Sequence, residues 1–319
     1  MKLLKQEKRY NLIVLGLISL RRISHLDRLE SESIYIFREC LSQAERPVIL
    51  FSAGKDSTVL AYLAVKAFYP AKPPAPLLHI DSTWEFSELL KFRDDFANHY
   101  GFDLKVFSNQ DGKKSGINPF DHGDRYTLVM RTEPLKTALN MGNYDFIFGG
   151  ARRDEERSRA KERIISIRNE YHGWDPKDQR PEFHNLYNLQ LSKGQSARVF
   201  PLSNWTEQDI LDYALREKIK LAPLYFTKER EVVTRGNAFI AIDDMSLMRL
   251  QPDDNIIKKN VRFRTLGCWP VTGAIESNAS NLQEIIDETL NSKFSERQGR
   301  LGDSEDGGSL EQKKKEGYF

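Results

Sequence analysis

A segment of small, hydroxyl and charged residues at 52–57 has the composition of a phosphate-binding loop. Its small residues let a backbone approach an anion closely, and its serines and lysine offer hydroxyl donors and positive charge. The helical pattern that follows would direct its first backbone N–H groups and its positive dipole end at the same anion. We therefore predict that the segment binds the phosphates of a nucleotide. In order, its residues are Ser52, Ala53, Gly54, Lys55, Asp56 and Ser57.

Asp56 is unusual in such a loop, because a carboxylate repels a polyanion. Its presence predicts either capping of the following helix or positioning of Mg²⁺ near the phosphates. The segment is not a Walker A loop, which requires glycine where Ile49 stands and serine or threonine where Asp56 stands. The chain is therefore not expected to be a P-loop NTPase.

A second group of residues suited to anions follows Gly149-Gly150, where Arg152 and Arg153 stand side by side. A single arginine guanidinium can bind two oxygens of a phosphate or sulfate at once. We predict that Lys55, Arg152 and Arg153 are the catalytic residues. The basic residues further along fit a solvated, salt-bridged helix as well as they fit an anion site. They are Arg157, Arg159, Lys161 and Arg163.

The other residues that could do chemistry are isolated. His79 and Asp81 end an apolar run, where they could border a ligand or, in the case of Asp81, cap the next helix. His122 lies in a loop that contains proline and glycine, and a structural role suits it as well as a catalytic one. The six histidines show no metal-binding spacing. The two cysteines, Cys40 and Cys268, form neither a disulfide framework nor a four-thiolate zinc site, and we expect Cys268 to be a packed thiol.

Short apolar runs alternate with helical patterns through the first half of the chain. This alternation predicts βαβ units and an α/β fold with a doubly wound, mostly parallel sheet. Ligands bind such sheets at the carboxyl ends of the strands, which is where 52–57, 79–81 and 149–150 are expected to meet. The predicted strands are 47–51, 77–80, 104–107 and 145–148, and the predicted helices are one opening at Ser24 plus 57–69, 86–100 and 128–140.

The pattern weakens beyond about residue 160. A strand is predicted at 198–202 and a helix at 206–217, with Asn204 as a plausible cap. From Lys220 onward the chain is expected to be irregular and partly helical, with one further helix at 282–290.

The beginning of the chain contains an apolar run at 12–20 after several basic residues. The run is too short to span a bilayer, and the small residues of an export-signal cleavage site are missing. We therefore interpret residues 1–24 as an extension of unknown role.

The composition excludes some classes of protein. The 48 Lys and Arg residues against 46 Asp and Glu residues leave a net charge of +2, which is not the large basic excess of a protein that coats nucleic acid. Neither a nucleic-acid partner nor a membrane partner is expected. Two cysteines in 319 residues are typical of a protein from the reducing cytoplasm.

The segment 52–57 resembles the pyrophosphate loop of the N-type ATP pyrophosphatases. Within them, the chain is similar to the small, ATP-using subunits of the GTPase-coupled bacterial ATP sulfurylases, from about His25 to Phe319. These long, ordered matches are highly specific. The matching stretches are 25–30, 52–57, 118–123, 149–156, 158–163, 199–207, 263–270, 295–300 and 317–319.

The resemblance implies adenylyl transfer from ATP to sulfate, giving adenosine 5′-phosphosulfate and pyrophosphate. It implies Mg²⁺ with the ATP, no redox cofactor, and a GTPase large subunit whose GTP hydrolysis drives the reaction. It places His79 and Asp81 beside the adenosine. It also divides the chain into an ATP-binding α/β domain at 25–205 and a region at 206–319 that completes the site and contacts the partner.

Two other functions remain open at this stage. The related phosphoadenylyl-sulfate reductases share the fold and the loop, but they need a C-terminal cysteine, and none follows Cys268 here. A non-catalytic homologue is conceivable, because Ser82-Thr83 stands where the family typically has Thr-Gly. In the family, that glycine eases the approach of the backbone to the nucleotide. It is missing from this chain.

Overall fold

Six strands form the central sheet of the computed structural model, which describes residues 24–155, 157–235 and 238–291, without the side chains at 157 and 158. The predicted extension at 1–24 lies outside these residues, apart from Ser24. The strand order is β3-β2-β1-β4-β6-β5, with β5 antiparallel and the other five parallel. The strands are β1 Val48–Leu50, β2 Leu77–Ile80, β3 Leu104–Phe107, β4 Phe146–Phe148, β5 Ile165–Arg168 and β6 Ser196–Val199.

Helices cover both faces of this sheet, which confirms the predicted doubly wound α/β fold. On one face the main core joins Phe37 and Leu60 to Ile49 of β1. On the other face Leu135 and Leu139 pack on neighbouring residues of the same strands. The helices before β4 are α1 His25–Gln43, α2 Lys55–Phe68, α3 Ser87–Tyr100, α4 Gln110–Lys114, α5 Pro119–Thr127 and α6 Glu133–Gly142.

The first helix begins as predicted. Ser24 and Asp27 form a reciprocal capping box, in which the Asp27 N–H donates to Ser24 Oγ at 3.1 Å. The expected cap of the helix near 206 is wrong. Thr206 caps α8 (Glu207–Glu217), because its hydroxyl accepts from the N–H of Asp209, whereas the Asn204 side chain donates to Glu32.

The helix predicted at 128–140 is divided. A π-helical turn at Leu128–Thr132 joins α5 to α6, and Pro134 stands in the first turn of α6. Proline has no N–H for the α-helical bond to the carbonyl four residues earlier, so the regular ladder cannot continue through this point. The turn places Arg131 near the carboxyl edge of the sheet.

Four short strands beyond residue 220 close into an antiparallel barrel, in the order β10-β8-β7-β9. The sequence did not reveal them, because charged residues interrupt the apolar alternation in β7 and β9, and β8 and β10 are only four residues long. The helix predicted at 282–290 is confirmed as α9. The remaining elements are α7 Arg157–Ala160, β7 Lys228–Arg235, β8 Ala238–Ala241, β9 Ile257–Arg262, β10 Gly273–Glu276, α9 Leu282–Asn291 and 3₁₀ turns at Pro223–Tyr225 and Trp269–Val271.

The barrel is joined to the 3₁₀ turn at Pro223–Tyr225 by a direct backbone contact. The N–H of Phe263 donates to the carbonyl of Leu224 at 2.9 Å, directly after β9. This contact places the segment that begins with Arg264 beside the start of α8. None of the described helices is both long enough and apolar enough to cross a membrane.

Candidate active site

The loop predicted to bind phosphate lies at the carboxyl end of β1, directly before α2. Ala53 adopts a left-handed backbone conformation, with φ at 58°. The hydroxyls of Ser52 and Ser57 lie 3.1 Å apart, and the Ser57 hydroxyl also donates to the carbonyl of Gly54 at 3.0 Å. These bonds close the loop around the N-terminus of α2, where the unpaired N–H groups of the helix can meet an anion.

Lys55 is the first residue of α2, and its side chain is 2 % exposed. Its ammonium lies 3.3 Å from the Asp56 carboxylate and 3.8 Å from the Glu207 carboxylate. Its backbone N–H donates to the phenolic oxygen of Tyr225 at 2.8 Å. A buried charge is tolerated only when it is paired. The C-terminal region supplies two of the contacts that hold this residue.

Gly150 brings a second loop against the first. A Cβ added to Gly150 would lie 3.2 Å from both the carbonyl carbon of Asp56 and the nitrogen of Ser57. The preceding residue, Gly149, extends the pairing of β4 by donating its N–H to the carbonyl of Val199 at 2.8 Å. The absence of a side chain at 150 is therefore what allows the two backbones to touch.

Arg152 and Arg153 point to different places. The Arg152 guanidinium is buried, and its Nε donates to Asp56 Oδ1 at 2.5 Å, beside the phosphate loop. Arg153 instead donates to Asn204 Oδ1 at 2.6 Å and lies 3.9 Å from Glu182. The structure brings Arg152 and Lys55 together on Asp56. It does not bring Arg153 to the loop.

Asp56 holds cations rather than capping the helix. One carboxylate oxygen accepts from Arg152, and the other faces the Lys55 ammonium. Gly54 is the N-cap of α2 and has no side-chain cap. Among the described residues no group of three or more His, Cys, Asp or Glu side chains could hold a metal ion.

The residues predicted beside the adenosine lie at the end of β2. His79 is buried, and its Nδ1 lies 2.9 Å from the carbonyl of Phe51. Burial lowers the pKa of His79, so the ring is neutral at pH 7. A carbonyl can only accept, so the proton is on Nδ1 and Nε2 carries a lone pair.

Asp81 does not cap α3, so that interpretation is wrong. Its Oδ1 accepts the N–H of Thr83 at 2.7 Å, and the N-cap of α3 is Phe86, which forms no side-chain cap. Burial, together with the charge of Glu85, raises the pKa of Asp81.

A cavity of about 190 Å³ opens at the carboxyl ends of β1 and β2. Most of its wall is apolar, and His79, Glu85 and Arg131 supply polar groups. An apolar slot with a few polar groups is suited to a flat heterocyclic base. Its apolar lining consists of Leu50, Phe51, Leu78, Ile80, Leu89, Leu135 and Leu266.

The departure from the family pattern, Ser82-Thr83, lies next to Glu85, which lines this cavity. Thr83 has φ at 69°, a left-handed conformation that glycine adopts without strain and β-branched residues rarely adopt. Ser82 donates to Glu85 Oε1 at 2.5 Å and accepts from Tyr126 at 2.8 Å. Thr83 therefore has the backbone conformation that a glycine would adopt, and the hydrogen bonds of the neighbouring Ser82 side chain stabilise it.

Cys268 is buried, as expected, but its surroundings are polar. Its Sγ lies 2.8 Å from the Tyr126 hydroxyl and accepts from Arg131 Nη2 at 2.9 Å. His122 contacts the backbone of Asn118 in its own turn, which supports a structural role.

The basic segment before β5 is only partly solvated. Lys161 and Arg163 are exposed, whereas Arg159 is 6 % exposed. Arg159 lies 3.5 Å from Glu162, which is also buried. The solvated-helix interpretation is therefore wrong for Arg159.

Sequence reasoning assigned no role to several residues that the structure brings to the site. They are Glu85, Arg131, Glu207, Tyr225 and Arg264. Glu207 and Arg264 lie in stretches quoted for the resemblance and Glu85 follows a predicted strand, whereas no sequence signal pointed to Arg131 or Tyr225.

Known proteins resemble this chain in sequence over most of its length. Residues 46–274 match the family described as Phosphoadenosine phosphosulfate reductase domain. Sulfate adenylyltransferase subunit 2 of Trichlorobacter lovleyi is 58 % identical over 298 residues, which cover 93 % of this chain and 99 % of that protein. Sulfate adenylyltransferase subunit 2 of Methylococcus capsulatus is 56 % identical over 299 residues, with 93 % and 99 % covered.

Among solved structures, a phosphoadenylyl-sulfate reductase from Candida auris is similar at 16 % identity with a TM-score of 0.45. The match covers 63 % of this chain and 89 % of that one. The close relatives named above extend over nearly the whole chain, and they confirm the resemblance drawn from the motifs. The chain belongs to the sulfate adenylyltransferase subunit 2 family.

Proposed function

We propose that this chain transfers the adenylyl group of ATP to sulfate, with release of pyrophosphate. The observation that carries the proposal is the meeting of Lys55 and Arg152 at a helix N-terminus, next to a mostly apolar cavity. The name of the relatives, sulfate adenylyltransferase subunit 2, supports the choice of sulfate as acceptor.

In the proposed reaction a sulfate oxygen attacks the α-phosphorus of ATP. The new P–O bond forms as the bond between the α-phosphorus and its bridging oxygen breaks, and pyrophosphate leaves with the electron pair. Sulfate is already an anion, so the attack needs no general base. The residues then have to hold two anions together and stabilise charge on the phosphoryl oxygens. Lys55 and Arg152 are proposed for this role because both contact Asp56 in the phosphate loop, whereas Arg153 contacts Asn204.

Mg²⁺ is proposed to enter as part of the nucleotide substrate. It usually binds through substrate phosphates and one or two carboxylates. Asp56 is a single carboxylate with both oxygens facing cations. No step is assigned to a metal held by the chain.

A GTPase large subunit is the proposed partner. The phosphosulfate anhydride is a high-energy product, so the transfer is uphill and needs a second reaction to drive it. The segment 52–57 is not a Walker A loop, which agrees with GTP being bound by another chain. We propose the C-terminal region 206–319 as the contact surface for that partner. A cytoplasmic location is proposed as well, because the reaction needs both nucleotides.

The reductase alternative has one observation in its favour, the description of the matching family. Such an enzyme needs an accessible C-terminal cysteine, whereas Cys268, the last cysteine in the sequence, is 2 % exposed. The geometry therefore favours the transferase.

The test is a sulfate-dependent assay of the chain co-purified with its GTPase partner. We expect pyrophosphate release from ATP to require sulfate and to increase with GTP. Lys55→Ala should abolish release, while Lys114→Ala, an exposed lysine of α4, should not. Absence of release under every condition would refute the transferase, and thioredoxin-dependent formation of sulfite would support the reductase.

A further inference from the structure

Arg264 enters the phosphate site from the barrel. It lies two residues after β9, and its guanidinium is bound by the Glu207 carboxylate through two contacts. Nη2 donates to Oε2 at 2.6 Å and Nε donates to Oε1 at 3.2 Å. This paired geometry fixes the plane of the guanidinium.

The same carboxylate also faces the phosphate loop. Glu207 Oε1 lies 3.8 Å from the Lys55 ammonium. Because both cations contact Oε1, Lys55 Nζ and Arg264 Nε are separated by at most about 7 Å. One carboxylate thus lies between a cation of the α/β domain and a cation of the C-terminal region.

This spacing suits a tetrahedral anion. A hydrogen bond from a cation to an oxyanion is about 2.8 Å long. Two such bonds to different oxygens of one phosphoryl group can be made by cations that lie within the bound of about 7 Å set for Lys55 and Arg264. A carboxylate placed between them occupies the position of such an anion.

We propose that Lys55 and Arg264 clamp one phosphoryl group of the pyrophosphate end of ATP, and that Glu207 is the resident counter-ion which this group displaces. The inference rests on the proposed function for the identity of the nucleotide. It adds Arg264 as a phosphate-binding residue and makes the C-terminal region part of the phosphate site.

The position of Glu207 explains how its charge is held before the anion arrives. Glu207 is the first residue of α8, where the helix dipole stabilises a carboxylate. Its side chain is 10 % exposed, against 18 % for Arg264. The pair therefore lies in a partly dehydrated setting, where removal of one charge has a large effect on the other.

The proposal predicts an increase in affinity from the loss of a charge. Glu207→Gln keeps an acceptor for Arg264 but removes the negative charge that competes with the phosphate. We expect the full-length variant to bind pyrophosphate and ATP about 3- to 10-fold more tightly, as measured by calorimetry. The melting temperature without ligand should fall, because two cations lose their counter-ion.

The complementary variants change the cation, Arg264. Arg264→Gln should weaken the binding of pyrophosphate at least about 10-fold, and Arg264→Lys should recover part of the loss. Glu88→Gln is the matched control, because Glu88 binds the guanidinium of Arg230 in the same paired manner on β7. It should leave the affinity for pyrophosphate unchanged.

Two results would overturn the clamp. One is unchanged pyrophosphate affinity in both folded Arg264 variants, and the other is weaker binding in Glu207→Gln. An effect confined to the KM for sulfate would likewise refute the assignment to the pyrophosphate end. Because binding is measured without turnover, the clamp can be confirmed even if the assay for sulfate-dependent release fails.

Discussion

The backbone N–H of Lys55 donates to the phenolic oxygen of Tyr225 across 170 residues of sequence. The bond is 2.8 Å long and buried. It ties the first turn of α2, at the phosphate loop, to the 3₁₀ turn at Pro223–Tyr225. The loop is therefore shaped partly by a residue far outside the α/β domain.

Tyr225→Phe should destabilise the fold, because it removes the acceptor of a buried N–H group. We expect the free energy of unfolding to fall by about 1–3 kcal/mol in urea denaturation. Tyr171→Phe is the control, since Tyr171 is 74 % exposed and its change should stay within about 0.5 kcal/mol. Equal effects of the two variants would show that the Tyr225 hydroxyl does not support the loop.

Gly150→Ala should weaken the binding of ATP. The added Cβ would lie 3.2 Å from backbone atoms of Asp56 and Ser57, which cannot move aside as a flexible side chain can. We expect the phosphate loop to shift and the Kd for ATP to rise at least about 10-fold.

The control for that variant is Gly116→Ala. A side chain at position 116 would also be strained, since the φ of Gly116 is 69°. Nothing lies within 4 Å of its added Cβ, however. It should cost about 1 kcal/mol of stability and leave the Kd for ATP unchanged. A normal Kd in Gly150→Ala would contradict the close-packing argument.

Thr83→Gly should stabilise the protein. A β-branched residue at φ 69° is strained by about 1–2 kcal/mol, and glycine removes that strain while adding entropy to the unfolded chain. The expected net gain in the free energy of unfolding is up to about 1 kcal/mol. Thr83→Ser keeps the Cβ and should gain less. A loss of stability in Thr83→Gly would mean that the threonine side chain contributes more than its strain costs.

His172 should make the stability depend on pH. Burial, with the positive charges of Arg198, Lys136 and Arg168, lowers the pKa of His172 to about 4. The folded state therefore keeps the ring neutral between about pH 6.5 and pH 4, while the unfolded state takes up a proton. The contribution of neutral His172 to the free energy of unfolding is complete above pH 6.5 and is lost as the pH falls toward 4.

The measurement is the free energy of unfolding from pH 7.5 to 4. His172→Asn removes the titrating group, and asparagine tolerates the left-handed backbone at this position, where φ is 64°. Its pH profile should be flatter than that of the wild type. His184→Asn is the control, since His184 is exposed and also left-handed, with φ at 51°. Parallel profiles for His172→Asn and the wild type would contradict the argument.

The sequence by itself determined the parallel part of the sheet and the position of the phosphate loop, but not the antiparallel strand β5 at its edge. A buried apolar strand, a turn of small residues and a following helix are local features, so the pattern around Gly54 was sufficient. Parallel strands all present their carboxyl ends at one edge, so Gly149 and His79 were correctly expected near that loop. These conclusions need no knowledge of distant contacts.

Only the tertiary structure decided which side chains complete the site. Arg152 and Arg153 are adjacent and chemically equal, yet Arg152 contacts Asp56 whereas Arg153 contacts Asn204. Glu207 contacts Lys55 and in turn binds Arg264, because the start of α8 lies between the start of α2 and the segment after β9. Those contacts depend on the packing of segments that lie far apart in the chain. The spacing of residues in the sequence does not predict that packing.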